Sequence, residues 1–517
     1  MLTYDLTDRQ NTPLYERIYR CIREDILAGR LGSGERLPSK RSFAKNNGIS
    51  IITVENAYAQ LMAEGYIYSL PKKGFYVSDI RLLPEPQSPI VRDTRPDAGS
   101  GARYAPNQGE GCIPGHDSGN NACCPLRHSA DDAAVPVTAD LTTGRTDTES
   151  FPFSTWSRLM RELLAEDKAI LMEASEGRGV PALRRAIAEH LRAFHGMAIL
   201  PDQVIIGAGT EYLYGLLVQL LGRDRVYGIE DPAYHKISQI YEALGVDCRY
   251  IPMDEEGMQP GPLREHGIDI AHISPSHQFP TGITMPIGRR YALLTWAVEN
   301  TGRYIIEDDY DSEFRLTGQP VPTLMSIDRH ERVIYVNTFT RTLSSTVRIA
   351  YMVLPPHLAA LYREKLSFYS CTVSSFEQYT LSRFISRGHF EKHLNRMRNH
   401  YRKKQDRLLG MIAKSPLADR AEISMEDSGL HFLMRIDTDE TDESFCGRAG
   451  AMGLTVSALS EYYRDPPASA RHTLIIRYSA LTEEAMGQAV DVLSALTADR
   501  SRRPLGKHDR SSPFPGL

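Results

Sequence analysis

Residues 304–314, YIIEDDYDSEF, and residues 333–355, VIYVNTFTRTLSSTVRIAYMVLP, set the frame for the whole chain. Each opens with an apolar run of strand length, and each run gives way to polar residues where a strand would meet a turn. Runs of the same kind occur upstream in QVIIGAG, RVYGIE and DIAHIS, with helical stretches between them. That alternation, sustained over residues 137–498, predicts a mixed sheet covered by helices, an α/β architecture. Read by themselves, Glu307, Asp309 and Asp311 are a solvated acidic turn after a strand.

A chain of 517 residues is too long for one growing hydrophobic core, so more than one domain is expected. Hydrophobic residues make up 41% and charged residues 24%, which excludes a disordered or membrane-embedded composition. No apolar run approaches about 20 residues, and the opening MLTYDLTDRQ lacks the apolar core of a signal peptide. A cytoplasmic, nucleoid-associated location is expected. The seven cysteines are odd in number and scattered, which fits a reducing compartment. Cys112, Cys123 and Cys124 lie near His116 and His128, but their spacing matches no zinc pattern, and no metal is expected. They fall in residues 81–136, rich in Pro, Gly, Asp and Asn, which read as a flexible linker. Some 55 residues of coil span about 40 Å. Residues 499–517 read as a disordered tail.

Residues 1–80 carry a different pattern. Leu14, Ile18, Ile22 and Ile26 recur at helical spacing and Gly29 closes that helix. Ser39 caps a short helix through Ala44, and Ser50 caps another that turns Val54, Ala57, Tyr58 and Leu61 inward. A hairpin follows, with Lys72, Lys73 and Gly74 at its tip. Helix, turn, helix and hairpin make an α+β winged helix-turn-helix. LPSKR, the G-x-S-x-x-T-V-x-x-A-Y core and the closing EGYIY and KKGFYV resemble the GntR family of regulators. Between residues 30 and 45, Arg30, Arg36, Lys40, Arg41 and Lys45 face only Glu35, a local basic excess suited to phosphates. The resemblance implies that operator DNA is met by Arg36, Ser39, Lys40 and Arg41, by Ser50, Ile52 and Thr53 of the recognition helix, and by the wing at Lys72, Lys73 and Gly74. Ile51 stands where relatives usually carry arginine.

In the second domain GAGTEYLYGLL, SPSHQFPTG, IIEDDYDSEF and TFTRTLSSTVRIAYMVLP follow in the order found in fold-type I pyridoxal-phosphate enzymes. With the GntR head, this resembles the MocR family, and within it the γ-aminobutyrate-responsive branch. The resemblance implies a fold-type I aminotransferase-like domain over residues 137–498, acting as a head-to-tail homodimer. It also implies a pyridoxal 5'-phosphate site: Asp308 opposite the pyridine nitrogen, Tyr310 on the ring oxygen, Tyr234 stacked on the ring, Gln278 beside it, and Gly209, Thr210, Thr338 and Arg348 around the phosphate.

Two positions depart from that pattern. The family reads Phe-Ser-Lys at the Schiff-base lysine, and this chain reads Phe339, Thr340, Arg341. A guanidinium stays protonated and cannot serve as amine nucleophile or proton shuttle, so normal transamination is not expected and no catalytic residue is assigned. In ALSEYYRD, Glu461 stands where an effector-binding arginine is expected, with Arg464 or Arg477 as substitutes. Three readings stand for the pocket: non-covalent pyridoxal phosphate or its adduct with a small amine or amino-acid-like effector, another anionic metabolite held partly by Arg341, or an inert dimerisation domain. An aminotransferase with an accessory DNA-binding head is the rival for the whole chain. Lys236 could in principle replace the missing lysine, though a surface or helix role is expected for it.

Overall fold

The computed structural model describes residues 2, 4, 13–70, 73–80, 137–144, 150–315, 321–427 and 429–498. Lys72, the segment 81–136 with its cysteines and histidines, and the tail at 499–517 lie outside the described residues.

Helix α1 (Leu14–Leu27) buries Ile18, Tyr19, Ile22 and Ile26. Helix α2 (Lys40–Asn47) runs past Ala44, because Gly48 supplies the left-handed closing residue at φ 64°. Helix α3 (Ile51–Ala63) turns Val54, Ala57, Tyr58 and Leu61 inward. Serine caps both short helices: Ser39 Oγ accepts from the Ser42 amide at 3.2 Å and Ser50 Oγ from the Thr53 amide at 3.1 Å. Strands β1 (Ile67–Leu70) and β2 (Gly74–Val77) pair antiparallel as the wing.

In the larger domain β3 (Ala139–Asp140) precedes α4 (Phe153–Glu166), α5 (Lys168–Met172) and α6 (Pro181–His195). Strands and helices then alternate: β4 (Val204–Gly207), α7 (Thr210–Leu221), β5 (Val226–Asp231), α8 (His235–Ala243), β6 (Asp247–Asp254), β7 (Gly257–Met258), α9 (Pro260–Glu265), β8 (Ile270–Ile273), α10 (Ile287–Val298), β9 (Tyr304–Asp308), β10 (Val333–Thr338) and β11 (Ala350–Val353). They form an eight-stranded sheet of order β4-β11-β10-β9-β8-β5-β6-β7. The ladders linking β10, β9, β8, β5 and β6 are parallel; β11 runs against both neighbours. Helices cover the sheet, which explains why β4, β8, β10 and β11 are buried at every position and read as continuous apolar runs rather than alternating ones.

A second sheet completes the domain: β12 (Ala421–Ser424), β13 (His431–Ile436), β15 (Ser457–Ala458) and β16 (Thr473–Arg477), while β14 (Leu454–Thr455) pairs with β3. The head rests on the larger domain at the start of α10. The Ile287 amide donates to the Glu64 carbonyl at 3.0 Å, and the fully buried Ile287 side chain joins the head's own core. No helix among the described residues is long and apolar enough to cross a membrane.

Candidate ligand-binding and DNA-binding sites

The carboxyl ends of parallel strands converge where an open α/β sheet offers a ligand crevice. Here β5, β8, β9 and β10 end around a cavity of about 330 Å³. Gly209, Thr210, Tyr234, Asp308, Tyr310, Thr338, Arg341 and Arg348 all line it. Sequence reasoning did not single out Glu211, Tyr214, Glu230, Ser274 and Ser345, which also line it.

Asp308 closes β9 and sits in the cavity wall. Its Oδ2 accepts from Tyr214 Oη at 2.7 Å, whereas its Oδ1 is buried without a partner. The Tyr310 hydroxyl is likewise buried and partnerless. Both atoms call for a polar ligand, since a buried polar group left unsatisfied is costly. At the start of α7, Gly209 stands at φ 98°, and a Cβ there would come within 2.4 Å of Arg348 Nη2. The positive φ favours glycine there, and a Cβ would push the Arg348 guanidinium away from that helix terminus, where backbone amides favour an anion.

Thr338 Oγ1 bonds Thr340 Oγ1 at 2.8 Å, and Ser345 adds a hydroxyl to this end. An acid for a pyridinium, a phenol for the ring oxygen and a hydroxyl-rich, arginine-flanked helix terminus for the phosphate fit pyridoxal phosphate. Arg341 lines the same cavity and donates to the Gly144 carbonyl.

Electrostatics differ between the two ends of the cavity. Arg348 Nη2 pairs with Glu211 Oε2 at 2.8 Å, and Lys236 bonds the other oxygen of the same carboxylate. Burial raises the Glu211 pKa, but hydrogen bonds from Lys236, its own backbone and Arg348 outweigh that and bring it to about 2. Lys236 is exposed on α8, in keeping with the surface or helix role expected, and at the cavity rim it is held as a counter-ion to Glu211. At the other end Arg477 lies with Cζ 4.2 Å from the Phe279 ring centre and donates to the Thr142 carbonyl at 3.0 Å. Burial lowers the Arg477 pKa, and Arg341 lowers it further.

Several expectations need correction. Gln278 does not line the cavity; its amide donates to the Pro232 carbonyl at 2.8 Å and its oxygen braces Thr281, so it shapes the turn instead. Arg464 packs over Tyr250 at 5.8 Å and also lies outside the lining, whereas Arg477 is in it. Glu307, Asp309 and Asp311 are not solvated: each is at most 2% exposed. Glu307 accepts from the Leu324 and Met325 amides at 2.7 and 2.9 Å, Asp309 from Tyr335 Oη at 2.7 Å, and Asp311 bonds His277 Nδ1 at 2.9 Å. Buried carboxylates require such partners.

In the head, Arg36, Lys40, Arg41 and Lys73 share one small domain with the exposed start of α3. Ile51 and Ile52 are 47% and 69% exposed, unusual for isoleucine unless the face meets something else. Ser50 and Thr53 hydroxyls are bonded to each other at 2.7 Å. Gly74 at φ 111° packs its backbone against the Arg36 guanidinium. Lys40 is held by Glu55 at 2.6 Å.

A winged helix with an exposed recognition face, joined to an aminotransferase-fold domain, defines a two-domain regulator class. Residues 14–77 match the gntR family of bacterial regulatory proteins and residues 139–493 match aminotransferase class I and II, a family whose fold implies pyridoxal-phosphate binding. The chain belongs to the MocR branch of the GntR family of HTH-type transcription regulators. It is 35% identical to the uncharacterized HTH-type transcriptional regulator YdeL of Bacillus subtilis over 93% of this chain and 96% of that one. It is 30% identical to the probable rhizopine catabolism regulatory protein MocR of Rhizobium meliloti, covering 93% of each. Among solved structures, a multiple substrate aminotransferase from Thermococcus profundus superposes with a TM-score of 0.62 at 24% identity, over 71% of this chain and 92% of that one, which shows the fold.

Proposed function

We propose that the protein is a cytoplasmic, nucleoid-associated, DNA-binding regulator whose aminotransferase-fold domain senses a small ligand and does not transaminate. The observation that carries this reading is Arg341, the one misfit in a cavity otherwise suited to pyridoxal phosphate. The cofactor, when bound, supplies an electrophilic carbonyl and an electron-accepting ring. Asp308 and Tyr310 orient it, and the α7 terminus with Thr338, Ser345 and Arg348 holds its phosphate. Arg341 supplies positive charge and donors but no nucleophile. Residues 81–136 would tether head to sensor, units at 1–80 and 137–498. Exposed Phe153, Met172 and Phe368, at 68%, 82% and 74%, support burial against a second copy in a head-to-tail dimer. Two heads would then meet two operator half-sites, and a ligand would act by favouring one arrangement of them.

The test is an absorbance titration with pyridoxal phosphate of the wild type and Arg341→Lys. The wild type should bind it and release it fully on dialysis, with no borohydride-reducible band; Arg341→Lys should gain such a band. A stable reducible band in the wild type would mean another lysine serves, and the enzyme reading would return. Failure of both proteins to bind would remove the cofactor from the proposal.

A further inference from the structure

The two ends of the cavity treat their basic residues differently. Arg348 and Lys236 are both paired with Glu211, whose single charge offsets one of their two. Neither Arg341 nor Arg477 is paired with such an acid: among the described residues they donate only to the backbone carbonyls of Gly144 and Thr142. Both side chains line the main cavity and a recess beside it that Tyr310, Asp311 and His431 also line. The acid among them, Asp311, has its Oδ1 engaged by His277 at 2.9 Å and forms no ion pair with either arginine. His431 is no counter-charge either: burial and then Arg477 push it down to about 3.

Two partly buried guanidiniums near one another, neither paired with a carboxylate among the described residues, favour an added anion. Each presents five donors, and one backbone bond apiece leaves a fork free on both. A carboxylate presents two oxygens that match one fork. A single carboxylate would compensate one guanidinium and leave the other; two carboxylates on one small molecule would compensate both. Lysine at position 341 could offer a point charge but no fork.

We propose that Arg341 and Arg477 together bind a small dicarboxylate as the effector. This rests on the reading of the cavity as a sensor rather than a catalytic site. The substitution that removes covalent chemistry would then be the same one that sets ligand choice.

The test is calorimetric titration of the full-length protein with succinate, glutarate and glutamate, beside butyrate, butylamine and inorganic phosphate, with pyridoxal phosphate titrated in parallel. At least one dicarboxylate should bind about tenfold more tightly than butyrate, the increment of one further charge-assisted contact. Arg341→Gln should remove most of that preference, and Arg341→Lys, which keeps the charge should Arg341→Gln fail to fold, should reduce it. Equal affinity for butyrate and the dicarboxylates, preferential binding of phosphate, or no binding of any of these acids would overturn the inference. Pyridoxal-phosphate binding without a dicarboxylate preference would sink this inference alone; a dicarboxylate preference without pyridoxal-phosphate binding would sink only the cofactor part of the proposed function.

Discussion

Glu230 is the last residue but one of β5, faces the cavity, and is 5% exposed. Burial pushes its carboxyl up to about 8, with the Ser274 amide and Gln278 opposing and Asp308 reinforcing the rise. Because its folded pKa lies above the unfolded value, the proton is held more tightly in the native state. That stabilisation is complete below the unfolded pKa, near 4.3, and is lost as pH rises through about 8. Glu307, pushed up to about 7 by burial, acts in the same direction. Thermal unfolding should therefore show falling stability between about pH 5 and pH 8. Glu230→Gln should flatten part of that fall, by on the order of a few kcal/mol; a variant that tracks the wild type at every pH would mean Glu230 ionises freely. At this scale the sequence was informative where a motif fixes a side chain's direction. Asp308, Tyr310 and Arg348 stand in the cavity as their order in the chain implied. It was silent on Glu230 and Tyr214, because whether a strand-end acid or a helix tyrosine faces the cavity is settled by packing against other elements. It misjudged Glu307, Asp309 and Asp311, since a cluster of acids looks solvated until the amides and hydroxyls that satisfy them are brought in from distant segments.

The start and the inward face of helix α3 were legible, because Ser50 and the stripe of Val54, Ala57, Tyr58 and Leu61 are local signals. The sheet strands were legible as apolar runs, but not the antiparallel insertion of β11 between β4 and β10, which depends on non-local pairing. Two outcomes follow for α3. Ser50→Ala removes the acceptor of the Thr53 amide and should cost about 1 kcal/mol of head stability, read by thermal unfolding. Ile51 points apolar surface outward at the terminus expected to meet DNA. Ile51→Arg should add about one phosphate contact, making the slope of log K against log salt steeper by about 0.9 in operator-binding titrations. An unchanged slope would mean the start of α3 does not approach the phosphate backbone.

Across the whole molecule, the recognition helix and the ligand cavity are joined by a continuous set of contacts that no local pattern announced. Glu64 caps α3, accepts from Tyr19 Oη at 2.5 Å, and passes its carbonyl to the Ile287 amide. Gly65, at φ 79°, lies so close to α10 that a Cβ would come within 2.8 Å of Pro286 Cβ. One turn along α10, buried Arg290 is fixed by the carbonyls of Met285, Pro275 and Pro322 and lies 3.7 Å from Glu307. Glu307 immediately precedes Asp308. A ligand that repositions Asp308 would thus act on a segment packed against the head's seat. The decisive variant is Ile287→Asp, which places a charge in a seat with no exposure and should open the dock at a cost of several kcal/mol. Operator affinity measured by fluorescence anisotropy should then lose its response to ligand, while ligand binding to the larger domain, followed separately by calorimetry, persists. If the variant binds ligand and operator affinity still responds as in the wild type, the signal does not pass through the dock, and the separation of the two heads in a dimer would have to carry it instead.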